Sequence, residues 1–154
     1  PKEIPMGFVA NGNTTPSNIN ITSGTFFPSI SLDQIRDVVR IDGAVTDARL
    51  RQLVLEEMID VNRLLASLVM KADTLVDLST SMIDGEPDTE VLYFSAVSNG
   101  VAAKVNENYR TYDSTNSGNK KAEHAFLTVE DFRRNKMWAI QQLKGENHSV
   151  VELI

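Results

Sequence analysis

The clearest pattern in the chain is an amphipathic stripe in its first half. Its apolar positions recur at steps of three and four residues and comprise Leu50, Leu53, Val54, Met58, Val61, Leu64, Leu65 and Leu68. This period places them on one face of an α-helix, so we predict a helix over about residues 46–72, capped by Thr46 or Asp47. Glu56, Glu57 and Asp60 lie opposite the stripe, and we expect them to face solvent.

Three further segments have a helical pattern. Ser31 and Gln34 have the form of a capping box, which predicts a short helix over about residues 31–41. Further helices are expected over about residues 88–112 and 118–144, after a long loop that ends with Gly85 and Pro87. The inward face of the third helix is predicted to hold Val91, Phe94, Val97, Val101, Val105, Tyr109 and Tyr112. The fold class is therefore mainly α, a small bundle of about four helices.

Both ends of the chain differ from this bundle. Residues 1–30 are rich in Asn, Thr, Ser, Pro and Gly and have no helical period, which predicts an extended N-terminal arm before a helical bundle over residues 31–145. Residues 146–154 are expected to form a short extended C-terminal tail. Each end carries apolar side chains that we predict to bind partners: Phe8, Val9, Phe26 and Phe27 in the arm, and Val150, Val151, Leu153 and Ile154 in the tail. We also expect Phe26 and Phe27 to staple the arm to the bundle.

Composition narrows the functional classes. The 154 residues, 42% of them apolar, suit one domain with a sizeable core, and the net charge of -6 disfavours a protein that grips nucleic acid. The absence of cysteine excludes disulfides and thiolate metal sites. The longest uncharged aliphatic stretch, residues 64–70, is too short to span a bilayer, so we expect a soluble protein with no membrane partner.

A search for catalytic chemistry finds no candidate site. His124 and His148 are the only histidines, and neither has a neighbouring Ser and Asp arrangement typical of nucleophilic catalysis. No glycine-rich phosphate loop and no Glu-x-x-His pair for a carboxylate-bridged metal occurs. Arg133 and Arg134, next to Glu130 and Asp131, are typical of ordinary pairing along a helix. We predict that the protein is not an enzyme and takes no cofactor or metal.

Six segments, taken in order, carry a resemblance to a known family. They are FVANGN, IDGAVTDARLR, VNRLLASL, NYRTYDSTNSG, DFRRNKMWAIQQLKG and the terminal VVELI. In this order and spacing they resemble the head completion proteins (GPL family) of temperate myophages over nearly the whole chain. The sequence departs from the usual pattern at Ser114 and Thr115, where paired Thr is common, and at Lys136 and Met137 before Trp138, where Arg is more familiar.

The resemblance implies a virion component of the head-tail junction, present in the host cytoplasm during assembly. Such a protein binds beneath the portal after DNA packaging, stabilises the filled head and provides the platform on which the tail docks. The implied partners are the portal protein, tail terminator or neck proteins, and further copies of the chain in a homo-oligomeric ring, dodecameric like the portal. DNA would pass nearby without sequence-specific binding, and the acidic residues Glu86, Asp88 and Glu90 of the long loop are candidates to face its channel.

Three alternatives remain open at this stage. The tails could fold back on their own bundle instead of reaching a partner. The chain could be a stand-alone helical interaction module or an assembly regulator. It could also be a hydrolase or maturation enzyme, which would need a cluster of nucleophile, base or metal ligands that the sequence does not display.

Overall fold

A computed structural model describes residues 15–41, 45–109 and 116–146, with the backbone alone at residues 109 and 116–128. The helices in this part are α1 (Leu32–Val38), α2 (Asp47–Leu64), α3 (Asp88–Tyr109) and α4 (Asn116–Leu143). Two short antiparallel pairs accompany them, β1 (Asn20–Ile21) with β2 (Ile30–Ser31), and β3 (Met82–Ile83) with β4 (Glu86–Pro87). The predicted mainly α bundle of four helices is confirmed.

The segment before α1 is fixed to the first turn of that helix. Ser31 caps α1 by accepting a hydrogen bond from the Gln34 amide at 3.3 Å, as its capping-box form predicts. Asp33 accepts hydrogen bonds from the backbone N–H groups of Ser17 and Asn18 and from the Ser17 hydroxyl, which hold its pKa below the ordinary value. These bonds close residues 17–31 into a loop against the N-terminus of α1.

Helix α2 buries most of the predicted stripe, but it ends at Leu64 instead of about residue 72, and Leu64, predicted on the stripe, is 37% exposed. Thr46 caps it by accepting from the Arg49 amide at 3.3 Å. A 3₁₀ turn over Ala66–Leu68 follows, and both Leu65 and Leu68 remain buried. The apolar period of the sequence extends beyond the last residue of α2, because the 3₁₀ turn still places the Leu68 side chain in the core.

Helix α3 is rotated relative to the predicted inward face. Val97, Val101 and Val105 are buried as expected, but Val91 is 39% exposed and Tyr93 is fully buried. The expectation for Val91 is wrong, because α3 is apolar around most of its circumference. Its sequence period therefore leaves the orientation of the first turn undetermined. This rotation leaves Val91 at the surface beside α1.

The segment between α2 and α3, predicted as a long loop, contains a 3₁₀ turn over Val76–Leu78 and the β3–β4 hairpin. The hairpin turns through Asp84 and Gly85, both with positive φ, in the Asp-Gly sequence favoured for a two-residue turn. Asp88 then accepts hydrogen bonds from the amides and hydroxyls of Thr80 and Ser81. The hairpin is thereby tied to the N-terminus of α3.

A hydrophobic core lies between these elements. The buried side chains outside the arm are contributed mainly by α1, α2 and α3, with Ala139 and Ile140 from α4. Ile21, Phe26 and Ile30, which the sequence places in the arm, are also buried in this core. The segments over residues 1–14 and 147–154, predicted as the outer arm and the extended tail, lie outside the described residues.

Candidate functional site: interaction surfaces of the helical body

The described side chains include no cluster of potential metal ligands. Within residues 15–41, 45–109 and 116–146, no three His, Cys, Asp or Glu side chains are placed to hold a metal ion. The His124 side chain and His148 lie outside the described side chains. Among the same residues, no helix combines the length and apolar character needed to cross a membrane.

An ion cluster joins α2, α3 and α4. Lys136 on α4 donates to Glu57 at 2.7 Å and also to Asp60. Lys104 on α3 bonds Glu56 at 2.9 Å and lies 3.4 Å from Glu57. Glu57 is 4% exposed, so the expectation that this acidic group is a solvated face is wrong for Glu57. One buried carboxylate thus holds an ammonium group from each of two other helices.

The glycine at position 100 makes room for that carboxylate. A Cβ placed at Gly100 would lie 1.9 Å from Oε2 of Glu57 and 2.5 Å from its Cδ, far inside van der Waals contact. The hydrogen bond from Lys104 lowers the pKa of Glu56. Burial lowers the pKa of Lys104, but the hydrogen bond to Glu56 and the charge of Glu57 outweigh it and leave that pKa above its ordinary value. Both groups are therefore held in their charged forms.

The aromatic pair predicted as a staple lies within the chain's own core. Phe26 is buried, with its ring centroid 4.9 Å from that of Phe27 in an edge-to-face arrangement. Phe27 stacks on Tyr93 of α3 at 5.5 Å, and the Tyr93 hydroxyl donates to Asn62 of α2 at 2.6 Å. Burial raises the pKa of Tyr93 to about 12. These contacts attach residues 26–27 to two helices, as the stapling hypothesis requires.

A groove of about 490 Å³ lies between α1, the β3–β4 hairpin and the first turns of α3. Its apolar lining includes Val38, which is 60% exposed, together with Val91 and Phe94. Three carboxylates also line it, from Asp37, Glu86 and Glu90. Within the described part of the chain, none of these three has a hydrogen-bond or ion-pair partner. We call this feature the acidic groove.

The three acidic residues predicted to face a DNA channel are thus in different situations. Glu86 and Glu90 are exposed and line the acidic groove. Asp88 is half-buried, and hydrogen bonds from Thr80, together with those from Ser81, lower its pKa by stabilising the carboxylate. Its oxygens therefore bind Thr80 and Ser81, just before the hairpin.

The sequence profile of the phage head completion proteins (GPL) matches residues 21–154 of this chain. The chain belongs to this family. A curated relative is the "Head completion/stabilization protein" of Escherichia phage P2, which is 29% identical over 134 residues covering 84% of this chain and 79% of the relative. No solved structure matches the chain. Membership confirms the resemblance noted in the sequence and gives the chain a structural role in the phage head, within the virion.

The family match also divides the predicted docking residues. It begins at Ile21, the buried residue of β1, so Phe8 and Val9 precede it. Val150, Val151, Leu153 and Ile154 fall inside the matched range. All six lie outside the described residues, and their partner binding stays a prediction. The C-terminal tail is thus part of what this GPL chain shares with the family profile.

Two surface features of this GPL chain were missed by sequence reasoning. The acidic groove is built from α1, the hairpin and α3, which are far apart in sequence, and no local pattern signals their meeting. The ion cluster joins Glu57 to Lys136 across 79 positions. A weak signal for it existed, because Glu57 lies three residues after Val54 and four before Val61, at the edge of the buried stripe.

Proposed function

We propose that this chain binds beneath the portal as a homo-oligomeric ring after DNA packaging, stabilises the filled head and provides the docking platform for the tail. The observation that carries the proposal is the match to the head completion proteins over residues 21–154, which includes every described helix. The relative from phage P2 is named for both head completion and stabilisation, which supports the same role here.

The helical body has properties that suit a protein that stabilises a filled head. The ion cluster holds three helices at one point through Glu57, and the Phe26–Phe27–Tyr93 contacts fix the preceding loop to α3. Breaking one partner out of a buried ion pair is costly, because a charge is then left without compensation. A body linked in this way keeps its shape when its surfaces bear load.

The outer arm and the tail are the proposed docking segments. Extended peptide can add to an exposed sheet edge of a partner, where backbone hydrogen bonds supply affinity without a preformed groove. We assign this role to Phe8 and Val9 in the arm and to the apolar residues of the tail, namely Val150, Val151, Leu153 and Ile154. Phe26 and Phe27 pack inside the chain instead, so they support docking by anchoring the base of the arm.

Within this role, the exposed carboxylates of the acidic groove would face one of two surroundings. Glu86 and Glu90 could face the DNA channel, where carboxylates repel phosphate and keep DNA from adhering. They could also meet a basic surface of a neighbouring protein, since neither carboxylate has a partner in the described residues.

Removal of residues 147–154 tests the docking role. We expect the shortened chain to keep its melting temperature and to lose binding to DNA-filled, portal-containing heads, measured by co-sedimentation. A matched control keeps the length and composition of the tail but scrambles its order, and it should lose binding equally. A lower melting temperature with head binding retained would show that the tail folds back on its own bundle, and would contradict the proposal.

A further inference from the structure

One wall of the acidic groove is formed by β2 and the residue before it, since Ser29 and Ile30 both line the groove. The Leu32 amide donates to the Ile19 carbonyl at 2.9 Å. In an antiparallel ladder, this bond makes the next bonded pair, Ile21 and Ile30, exchange both of their backbone hydrogen bonds. Because backbone groups of successive strand residues point to opposite edges, those of Ser29 face away from β1, and neither has a hydrogen-bond partner in the described residues. The groove therefore has an open backbone edge along one side.

The remaining walls of the groove are apolar and acidic. Val38 is 60% exposed and Val91 is 39% exposed, so both present aliphatic surface. Asp37, Glu86 and Glu90 are exposed and unpaired, and no lysine or arginine is among the described residues that line the groove. Covering a carboxylate without a partner is costly, because the charge loses its water and gains nothing in return. A ligand that fills this groove must therefore bring positive charge of its own.

We propose that the acidic groove binds an extended, basic segment of a partner protein, which adds as a strand beside Ser29. Side chains of a strand alternate between its two faces, so aliphatic residues at every second position can cover Val38 and Val91. Lysine or arginine between them can pair with the groove carboxylates through their long, flexible stems. In strand addition, backbone hydrogen bonds supply affinity and the alternate side chains supply selectivity.

The same features disfavour two other ligands. A helix has its backbone groups bonded within itself, so it would leave the N–H and C=O of Ser29 without partners. DNA carries phosphates of the same sign as the groove, which repel the three carboxylates. The inference rests on the proposed function in one respect, because a head completion protein has neighbours in the particle that can supply such a segment.

An NMR titration of the nitrogen-labelled full chain tests the proposal, with the peptide acetyl-Lys-Val-Lys-Val-Lys-Val-amide as the probe. The amide signals of Ser29, Val38 and Val91 and of their neighbours should shift, while signals from the rest of the chain stay in place. The same peptide with every valine N-methylated keeps its charges and aliphatic groups but loses backbone donors, and it should bind at least about tenfold more weakly. A peptide with glutamate in place of each lysine should not bind.

Charge reversal on the chain has a matched control. Asp37→Lys changes a carboxylate of the groove, and Asp73→Lys makes the same change at an exposed aspartate outside it that is also unpaired in the described residues. Asp37→Lys should weaken peptide binding by at least about tenfold, and Asp73→Lys by less than about twofold. The unfolding midpoint of both variants in urea separates a loss of binding from a loss of folding.

Several results would overturn the proposal. Equal weakening by Asp37→Lys and Asp73→Lys, or no shift at a peptide concentration of about 1 mM, would show that the groove is not a specific site. Equal binding of the N-methylated peptide would exclude strand addition at Ser29. A duplex DNA oligonucleotide that shifts the same amide signals would assign the groove to the DNA channel. Co-sedimentation of the wild-type chain with filled heads reports on the proposed function alone, so its failure is distinguishable from failure of peptide binding.

Discussion

Substitution of Gly100 by alanine gives the sharpest test of how the three long helices are joined. In an exposed helix, this change stabilises by up to about 1 kcal/mol, because alanine loses less backbone entropy on folding. Here the added Cβ would lie 1.9 Å from Oε2 of Glu57, so the carboxylate must move. Its 2.7 Å bond to Lys136 and its 3.4 Å contact with Lys104 would then lengthen or break.

The net change in the free energy of unfolding combines the stabilisation that alanine gives a helix with the cost of displacing the Glu57 carboxylate. Removal of one partner from a buried ion pair costs about 3–5 kcal/mol. The cost is smaller here because Lys136 keeps Asp60 and Lys104 keeps Glu56. We therefore expect Gly100→Ala to destabilise the protein by about 1–2 kcal/mol, which lowers the melting temperature of a chain of this size by about 2–8 °C.

Urea unfolding, monitored by circular dichroism, measures this change in the free energy of unfolding. The dependence of that free energy on urea concentration should be the same in the wild type and the variant. The decisive comparison repeats Gly100→Ala in a Glu57→Ala background, which removes the three atoms nearest to the new Cβ, namely Oε2, Cδ and Cγ of Glu57. There the alanine should stabilise by up to about 1 kcal/mol. Equal destabilisation in both backgrounds would refute the reasoning, because the cost would then not come from Glu57.

Three further predictions concern the anchoring contacts. Tyr93→Phe removes the donor of a 2.6 Å hydrogen bond to α2 and should lower the free energy of unfolding by about 1–2 kcal/mol in urea; an unchanged value would contradict this role. Phe26→Ala should cost about 3 kcal/mol in the same assay, and a loss below about 1 kcal/mol would show that the loop does not depend on this ring. Hydrogen bonds from Thr80 lower the pKa of Asp88, so its contribution is present above the ordinary value of 3.8 and is lost as pH falls; Asp88→Asn should flatten the acid side of the stability profile measured in urea, and an unchanged profile would contradict this role.

The helices could be predicted from the sequence where one face alone is apolar. In α2, Leu50, Val54 and Val61 are all buried, because a single stripe can face the core in one way only. In α3 the apolar residues surround most of the helix. The pattern therefore predicts the helix, but it does not predict which side of the helix faces the core. Tyr93 is buried where its ring stacks on Phe27 and its hydroxyl donates to Asn62 of α2, while Val91 lines the acidic groove.

The candidate interaction surfaces were harder to predict for a related reason. The acidic groove exists because Val38 and Val91 remain exposed beside carboxylates from three separate segments. Charge along the chain does not indicate which carboxylates are neutralised by distant partners. Glu57 forms an ion pair with Lys136, which is distant in sequence, whereas Glu86 and Glu90 have no partner in the described residues. Only the tertiary structure distinguishes the carboxylates that are bonded within the chain from those that are unpaired.

Electron cryomicroscopy of the neck of filled particles tests the central claim most directly. We expect a closed ring of this chain immediately beneath the portal, with the helical bodies side by side and the chain ends contacting the portal or the tail-proximal proteins. Particles lacking the chain should lose that ring and release DNA. Density for the chain at another place on the head, or its absence from filled heads, would contradict the account.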